Sequence, residues 1–221
     1  ELICTNPPYS IKWAGDDNPL LINDPRFSPA GVLAPKSKAD MAFIMHCLSW
    51  LAANGTAAIV CFPGIMYRSG AEKKIRQYLI DNGYVDCVIQ LPGNLFFGTP
   101  IATNILILRR GKPDSTTLFI DASKECVKVT NSNKLTQDNI EHIVQFFTER
   151  KEMPHVVHLA SYEEIVKQDY NLSVSSYVET EDVREKIDIV KLNEEIRNIV
   201  AREQALRDEI DKIIAEIEVG V

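Results

Sequence analysis

Short apolar segments alternate with helical patterns along most of the chain, and this alternation constrains the fold more than any other feature. Buried-strand patterns occur at residues 56–62, 85–91, 102–108 and 117–121. On either side of the first of them, residues 40–53 and 71–82 carry apolar side chains at helical spacing. Strands that alternate with helices favour a mainly parallel sheet. We therefore predict an α/β fold built on such a sheet.

The first residues of the chain resemble the end of another strand that is followed by a rigid turn. Leu2 and Ile3 are apolar, and Asn6 is followed by Pro7 and Pro8. Neither proline has an N–H group to donate, and Asn6 favours an extended conformation because it precedes a proline. The turn is therefore expected to leave the carboxyl end of a strand, which is where ligands bind in open α/β sheets.

The chemical groups of this turn suit a planar heterocycle that carries an exocyclic amino group. The side-chain oxygen of Asn6 and the carbonyl of Pro7 can each accept a hydrogen bond, and Tyr9 offers a flat aromatic face. Two acceptors directed at adenine N6 would aim its lone pair at an electrophile and stabilise the positive charge that develops on nitrogen. The base would first have to leave the duplex. The alternative is an ordinary turn with a surface tyrosine.

Charge and cysteine content narrow the class of protein. The 221 residues include 24 Lys and Arg against 31 Asp and Glu, which gives a formal net charge of −7. This balance argues against a broad nucleic-acid-binding surface, so DNA contact should be local or supplied by a partner. There are five cysteines without a CxxC pair, and because three of them lie in apolar stretches we predict buried thiols in a reducing cytoplasm. No segment has the pattern of a signal peptide or of a transmembrane span, so no membrane association is predicted.

Residues 10–38 are rich in proline and turn signals, and we predict an irregular loop there. A long loop after a catalytic strand often forms a lid or a surface that faces the substrate. Lys12, Trp13, Arg26 and Phe27 are candidates for DNA contact in this loop. For Trp13 and Phe27 we favour the alternative, in which these side chains attach the loop to the core.

The chain beyond the last apolar strand is expected to contain a turn, a helix and a short strand. Residues 123–133 are polar and turn-like. Residues 135–150 have a helical pattern with an apolar face formed by Ile140, Ile143, Val144 and Phe147. His155 and His158 lie in a short strand pattern, and no acidic or cysteine cluster completes a ligand set around them, so no metal site is predicted.

The end of the chain has a different pattern. From about residue 183 to 217, apolar residues follow alternating steps of three and four with one polar break at Glu203, and the other faces are charged. This pattern predicts one long amphipathic helix with coiled-coil character. Such a helix needs a partner, which is its own domain, a second copy of the chain or another subunit. We therefore divide the chain into residues 1–125, an extension of the same domain over 126–180, and a docking helix over 181–221.

The order of several short motifs resembles one known family. After Asn6-Pro7-Pro8-Tyr9 come PKSKAD at 35–40, NGTAAIV at 54–60, LPGNLFFGT at 91–99, NILIL at 104–108, LFIDAS at 118–123 and DYNLS at 169–173. This succession resembles the modification (M) subunit of type I restriction-modification systems over about residues 1–180. The resemblance implies that residues 1–125 are the C-terminal half of a Rossmann-like methyltransferase catalytic domain that depends on S-adenosylmethionine.

The resemblance also implies an activity and a set of site residues. The full protein would transfer a methyl group from S-adenosylmethionine to adenine N6 in DNA. Asn6 and the carbonyl of Pro7 would bind the target amino group, and Pro8 would shape the turn. Tyr9 would stack on the flipped adenine.

Three further residues are carried over from the family. An aromatic residue often contacts the other face of the base in such enzymes, and we prefer Phe97 to Phe96, with core packing as the alternative for both. Asp40 begins a helix that lies near the methionine moiety of the cofactor, and its alternative is an ordinary acid at a helix start. The family's glycine-rich cofactor loop and ribose-binding acid precede the Asn-Pro-Pro-Tyr strand and are absent from these residues. We therefore expect the chain alone to be inactive.

The family further implies partners other than DNA. The C-terminal helices of the M subunit pack against helical spacers of the specificity (S) subunit, which reads the DNA sequence. A second M subunit and a restriction subunit complete the complex. If the S subunit reads the DNA sequence, this chain does not need a broad basic surface, which would also explain its acidic charge. Three alternatives stay open: a homodimer through the C-terminal helix, a non-catalytic module that only docks partners, and a single-chain adenine methyltransferase of a related restriction class.

Overall fold

The computed structural model describes residues 1–180 and 189–219. The chain separates into two compact units, Glu1–Thr180 and Glu181–Val221. The first unit contains a mixed sheet with helices on both faces. The described part of the second unit is a single helix.

The centre of the first unit is a six-stranded sheet. The strands in the described residues are β1 (Leu2–Thr5), β2 (Thr56–Cys61), β3 (Val85–Gln90), β4 (Asn104–Arg109), β5 (Thr117–Asp121), β6 (Val127–Val129), β7 (Ser132–Lys134) and β8 (Val157–Ala160). The order across the large sheet is β1-β2-β4-β3-β5-β8, and β6 and β7 form a separate hairpin. Strands β1, β2, β3 and β5 run in one direction, which confirms the predicted α/β fold with a mainly parallel sheet.

Strands β4 and β8 run against the other four, and the alternating pattern did not predict this. The connection from β3 to β4 contains no helix. Neighbouring parallel strands need a long crossover connection, whereas antiparallel neighbours can be joined directly. The direction of β4 therefore follows from its connection, because β4 pairs with β3 at once and is inserted between β3 and β2.

Helices cover the two faces of this sheet unequally. The α-helices in the described residues are α1 (Asp40–Trp50), α2 (Ala71–Asp81), α3 (Gln137–Glu149), α4 (Tyr162–Lys167) and α5 (Ile189–Val219). Leu106 in β4 shares one apolar cluster with α1 and α2, whereas its neighbour Ile107 shares the other cluster with α3. This division follows from the two-residue period of a strand, which points successive side chains to opposite faces.

Two predictions for residues 123–150 are corrected by the structure. The segment 123–133 is not only turn-like, because it contains β6 and the start of β7. The apolar face of α3 is less buried than its pattern predicted: Ile143 is 7% exposed, but Ile140 is 43% and Val144 is 55% exposed. The two exposed side chains line an apolar groove of about 300 Å³ between α3 and the sheet, so the helix covers only part of this face.

The loop over residues 10–38 is attached to the core by its aromatic residues. It contains three short 3₁₀ helices, at Gly15–Asp17, Pro19–Asn23 and Ser28–Ala30. Phe27 is buried, the Trp13 ring lies 5.3 Å from it, and Trp13 Nε1 donates a hydrogen bond to the Pro35 carbonyl. The favoured alternative for Trp13 and Phe27, attachment of the loop to the core, is therefore confirmed.

Helix α5 agrees with the predicted amphipathic pattern where the structure describes it. Residues 183–188 of the predicted helix lie outside the described residues. Within α5, apolar side chains recur in steps of three and four as a stripe along the helix that only Glu203 interrupts, at Ile189, Leu192, Ile196, Ile199, Leu206, Ile210, Ile213 and Ile217. None of the helices that the structure describes is both long and apolar enough to cross a membrane.

Candidate active site

The Asn-Pro-Pro-Tyr turn lies at the edge of the sheet where the four codirectional strands end. Asn6 follows β1 directly, and β1 pairs in parallel with β2, whose last residue is Cys61. The segments that follow β2, β3 and β5 leave the sheet at the same edge. Loops at the carboxyl ends of such strands form the ligand-binding crevice of open α/β sheets.

Asn6 and Tyr9 are joined by a hydrogen bond inside the turn. The Tyr9 hydroxyl donates to Asn6 Oδ1 over 3.0 Å, and Asn6 is otherwise exposed to solvent. The acceptor that we assign to a substrate amino group is therefore already in contact with a donor. Because an amide oxygen can accept two hydrogen bonds, a substrate N–H group could bind Asn6 Oδ1 beside this hydroxyl or in its place.

The Tyr9 ring is packed between the turn and the segment after β2. Its centroid lies 6.5 Å from that of Phe62, and the Arg68 guanidinium lies 4.9 Å from the Phe62 ring centroid. Burial raises the pKa of the Tyr9 hydroxyl, and the nearby Cys61 thiol adds to this effect. The hydroxyl thus stays protonated at neutral pH and remains a hydrogen-bond donor.

Asp40 accepts a hydrogen bond from the residue that follows the Asn-Pro-Pro-Tyr motif. The Ser10 backbone N–H donates to both carboxylate oxygens of Asp40, at 3.0 and 3.1 Å. Asp40 is the first residue of α1 and is only 6% exposed. Ser10 has a φ of 51°, in the left-handed region that residues other than glycine seldom adopt. The carboxylate therefore fixes the residue that follows the motif, a contact that joins positions thirty residues apart.

The loop between β3 and β4 presents Phe97 to solvent. Phe97 is 107% exposed, whereas Phe96 is half-buried. The two ends of the loop approach closely, because Asn94 N donates to the Pro100 carbonyl over 3.3 Å. A side chain at Gly93 would place its Cβ 2.9 Å from that carbonyl oxygen. Core packing, the alternative considered for both aromatic residues, is therefore wrong for Phe97.

The sheet order sets the distance between the turn and this loop. Strand β1 is followed by β2 and then by β4, so two strand spacings, about 10 Å, separate the strand before Asn6 from the strand after Phe97. Neither Phe96 nor Phe97 lines the small cavity beside the turn, whose lining includes Pro7, Tyr9 and Phe62.

The remaining candidate groups do not form a second centre. Within residues 1–180 and 189–219, no three His, Cys, Asp or Glu side chains are placed to hold a metal ion. Cys47, Cys61 and Cys87 are buried free thiols, and burial raises the pKa of each one. They are therefore unreactive parts of the core, as their apolar sequence context predicted.

Comparison with known proteins assigns the chain to a family. The family model of the N-6 DNA Methylase family matches residues 1–186. The chain belongs to this family. It is 47% identical to the Type I restriction enzyme MpnII methylase subunit of Mycoplasma pneumoniae, over 99% of the chain and 40% of that protein. It is 32% identical to the Type I restriction enzyme MjaVII methylase subunit of Methanocaldococcus jannaschii, over 93% of the chain and 37% of that protein.

A solved structure supports the same assignment. The chain is similar to the crystal structure of the type I restriction-modification system methyltransferase subunit from Streptococcus thermophilus, with a TM-score of 0.79 and 45% identity. This match covers 81% of the chain and 38% of that subunit. The resemblance to type I M subunits is thus confirmed. The chain spans about two fifths of the length of the relatives that it matches.

Proposed function

We propose that this chain provides the target-base part of a type I restriction-modification methylase, which methylates adenine N6 in DNA. The observation that carries the proposal is the exposed Asn6 Oδ1, held by the turn at the carboxyl edge of the sheet and already in contact with a donor. Family membership supports the same activity. Since the chain spans about two fifths of its relatives, the activity is assigned to the complete protein.

In this proposal the turn binds the amino group of a flipped adenine. One N6–H donates to Asn6 Oδ1 in place of the Tyr9 hydroxyl, and the other donates to the carbonyl of Pro7. Pro8 cannot donate a backbone hydrogen bond and keeps the turn extended. The Tyr9 ring stacks on the base, and Phe97, which is free of core contacts, is assigned to the opposite face of the base.

The two accepted hydrogen bonds explain how these residues promote the reaction. S-adenosylmethionine supplies the methyl group. As N6 is alkylated it acquires positive charge, and both acceptors bind its protons more strongly than in the ground state. A hydrogen bond to a charged group contributes about 1.5–3 kcal/mol, so loss of the Asn6 acceptor should slow the reaction by about 10- to 150-fold.

We propose that the residues near the turn supply only part of the cofactor site. Asp40 is the carboxylate that lines the small cavity beside the turn, and both of its oxygens are engaged with Ser10. We therefore assign Asp40 to positioning of the turn rather than to direct cofactor binding, and we expect the main cofactor loop to be supplied by another part of the complete protein.

The second unit is assigned to assembly. The stripe of apolar residues on α5 suits a helical partner, and we propose the helical spacer of the S subunit, in a complex that also holds a second M subunit and a restriction subunit. Buried free thiols at Cys47, Cys61 and Cys87 support a reducing compartment such as the cytoplasm. A homodimer through α5 and a module that docks without catalysis are the alternatives.

The proposal is tested with the complete protein in complex with its specificity subunit. Target DNA and S-adenosylmethionine with a labelled methyl group are supplied to wild type, to Asn6→Ala and to a control, Asn54→Ala. Asn54 is an exposed asparagine just before β2, at the opposite edge of the sheet. Label at adenine N6 with wild type and Asn54→Ala, and its loss with Asn6→Ala, is the expected result.

Two other results would contradict it. Equal labelling by Asn6→Ala and wild type would place the active site elsewhere. No labelling by any of the three proteins, although each forms a stable complex with DNA, would favour the module that only docks partners.

A further inference from the structure

The hairpin formed by β6 and β7 is attached to the loop that carries Phe97. Asn133 N donates to the Asn94 carbonyl over 2.9 Å, and Asn133 Nδ2 donates to the Gly93 carbonyl over 2.8 Å. The hairpin follows β5, at the same edge of the sheet as the Asn-Pro-Pro-Tyr turn. We call the hairpin Val127–Lys134 together with the loop 93–100 the hairpin ridge.

The hairpin ridge exposes side chains that would be expected to be buried against a partner. Phe97 is 107% exposed, Val127 is 41% and Val129 is 48% exposed. A groove of about 620 Å³ runs between the Phe97 loop and the hairpin, where Val129 and Ser132 line it. Apolar groups clustered with polar ones on a protruding surface are typical of an interaction site.

The charge of the hairpin identifies the class of partner. Residues 122–136 contain the lysines Lys124, Lys128 and Lys134 and one acid, Glu125. Glu125 is engaged by α3, since its carboxylate accepts from Asn139 Nδ2 over 3.0 Å and lies 3.2 Å from His142 Nδ1. Lys128 and Lys134 are exposed and form no ion pair with any residue in the described part of the chain. The ridge is thus locally basic in a chain of net charge −7.

We infer that the hairpin ridge binds the phosphate backbone of the DNA that flanks the target adenine, through Lys128 and Lys134. The inference rests on the proposed function and extends it, because it names the surface that holds the DNA at the site. Strand β5, which precedes the hairpin, lies four strand spacings from β1, about 19 Å. At about 3.4 Å per nucleotide along one strand, this is five to six nucleotides, so one DNA segment can reach both places.

The pairing of the hairpin places the two lysines on opposite faces of the ribbon. Lys128 lies opposite Asn133, and Lys134 lies opposite Val127. Because successive residues in a strand alternate between faces, Lys134 shares a face with Val129, whereas Lys128 shares the face of Asn133. In our proposal each lysine would contact a different phosphate, so their contributions to binding should be separable.

The test measures the salt dependence of DNA binding by the complete protein with its specificity subunit, without cofactor. The variant Lys128→Gln/Lys134→Gln is compared with wild type and with Arg109→Gln/Lys151→Gln, which removes the same charge. Arg109 pairs with Thr56 at the start of β2, and Lys151 follows Arg150, whose guanidinium contacts Asp86 in β3. Both control residues are exposed and lie at the opposite edge of the sheet.

The slope of log Kd against log salt concentration should fall by about 1.8 for the hairpin variant, at about 0.9 for each phosphate that a lysine no longer neutralises. Between 50 and 200 mM salt, the affinity of wild type should then fall by about twelve-fold more than that of the variant, and the control should keep the wild-type slope. An unchanged slope for the hairpin variant would overturn the inference. An unchanged slope together with weaker assembly of the subunits would also overturn the inference, and would indicate that the hairpin ridge is a protein interface.

Methylation is measured separately on the same proteins as a function of DNA concentration. We expect the hairpin variant to have a higher KM for DNA than wild type, because its lysines hold the DNA. Absence of methylation by wild type, together with a normal salt slope, would refute the proposed function and leave the DNA contact standing. The two proposals can therefore fail independently.

Discussion

Substitution of Asp40 by alanine is expected to release the end of the Asn-Pro-Pro-Tyr turn. The carboxylate is 6% exposed and accepts the Ser10 N–H through both oxygens, at 3.0 and 3.1 Å. Loss of a hydrogen bond to a charged group costs about 1.5–3 kcal/mol, and loss of a carboxylate at a helix start costs about 0.3–1 kcal/mol more. The free energy that keeps the Ser10 amide in its hydrogen bond should therefore fall by about 2–4 kcal/mol.

Hydrogen exchange at the Ser10 amide measures this cost directly. At about 1.4 kcal/mol for each factor of ten, exchange of this amide should be about 30- to 700-fold faster in Asp40→Ala than in wild type. Asp40→Asn keeps one acceptor oxygen at the same position and should show a smaller increase. The assay uses the complete protein, with exchange followed on the peptide that contains Ser10.

Methylation kinetics separate the two roles considered for Asp40. If Asp40 positions the turn, kcat/KM for DNA should fall in Asp40→Ala while KM for S-adenosylmethionine stays within about two-fold of wild type. The reasoning would be refuted if KM for S-adenosylmethionine rose ten-fold or more while exchange at Ser10 stayed at the wild-type rate. That result would assign Asp40 to the cofactor.

Substitutions at three further residues test other parts of the account. Tyr9→Ala should raise KM for DNA by about 5- to 150-fold, since stacking of a base on an aromatic ring contributes about 1–3 kcal/mol, whereas Tyr9→Phe keeps the ring, frees Asn6 and should bind at least as well as wild type. Burial raises the pKa of Glu72 despite the nearby Arg68, so its ionised form is disfavoured in the folded state. Wild type should therefore lose stability relative to Glu72→Gln as the pH rises from the ordinary glutamate pKa towards the raised one. Urea unfolding of both proteins at several pH values measures this difference. Ile199→Asp in the stripe of α5 should abolish co-purification of the specificity subunit, and retained co-purification would contradict our assignment of that helix.

Periodicity predicted the regular part of this fold well. The apolar runs of β2, β3 and β5 and the helical spacing of α1 and α2 are local signals, and each ends at a turn residue close to the observed boundary. The Asn-Pro-Pro-Tyr turn was also readable from the sequence, because two prolines fix their own geometry. These features depend on residues that are close together in the chain.

The features that the sequence did not reveal depend on contacts between distant residues or on very short elements. The bond between Ser10 and Asp40 spans thirty positions, and nothing in the local pattern indicates it. Strands β6 and β7 have three residues each, too few for a recognisable alternation. Whether Phe96 or Phe97 was exposed depended on how the loop closes through Gly93 and Pro100.

The contact between Asn6 and the target amino group is the central claim, and a binding cycle tests it most directly. The complete protein with its specificity subunit is titrated with two duplexes, one with adenine at the target position and one with purine, which lacks the amino group. Wild type and Asn6→Ala are compared on both duplexes, so that the coupling between the side chain and the amino group is isolated. We predict that wild type prefers adenine more strongly than Asn6→Ala does, with a coupling of about 0.5–1.5 kcal/mol, which is about 2- to 13-fold in Kd, because the amino group is neutral in the bound state. An equal preference for adenine in both proteins would show that Asn6 does not bind the amino group, and would contradict the account.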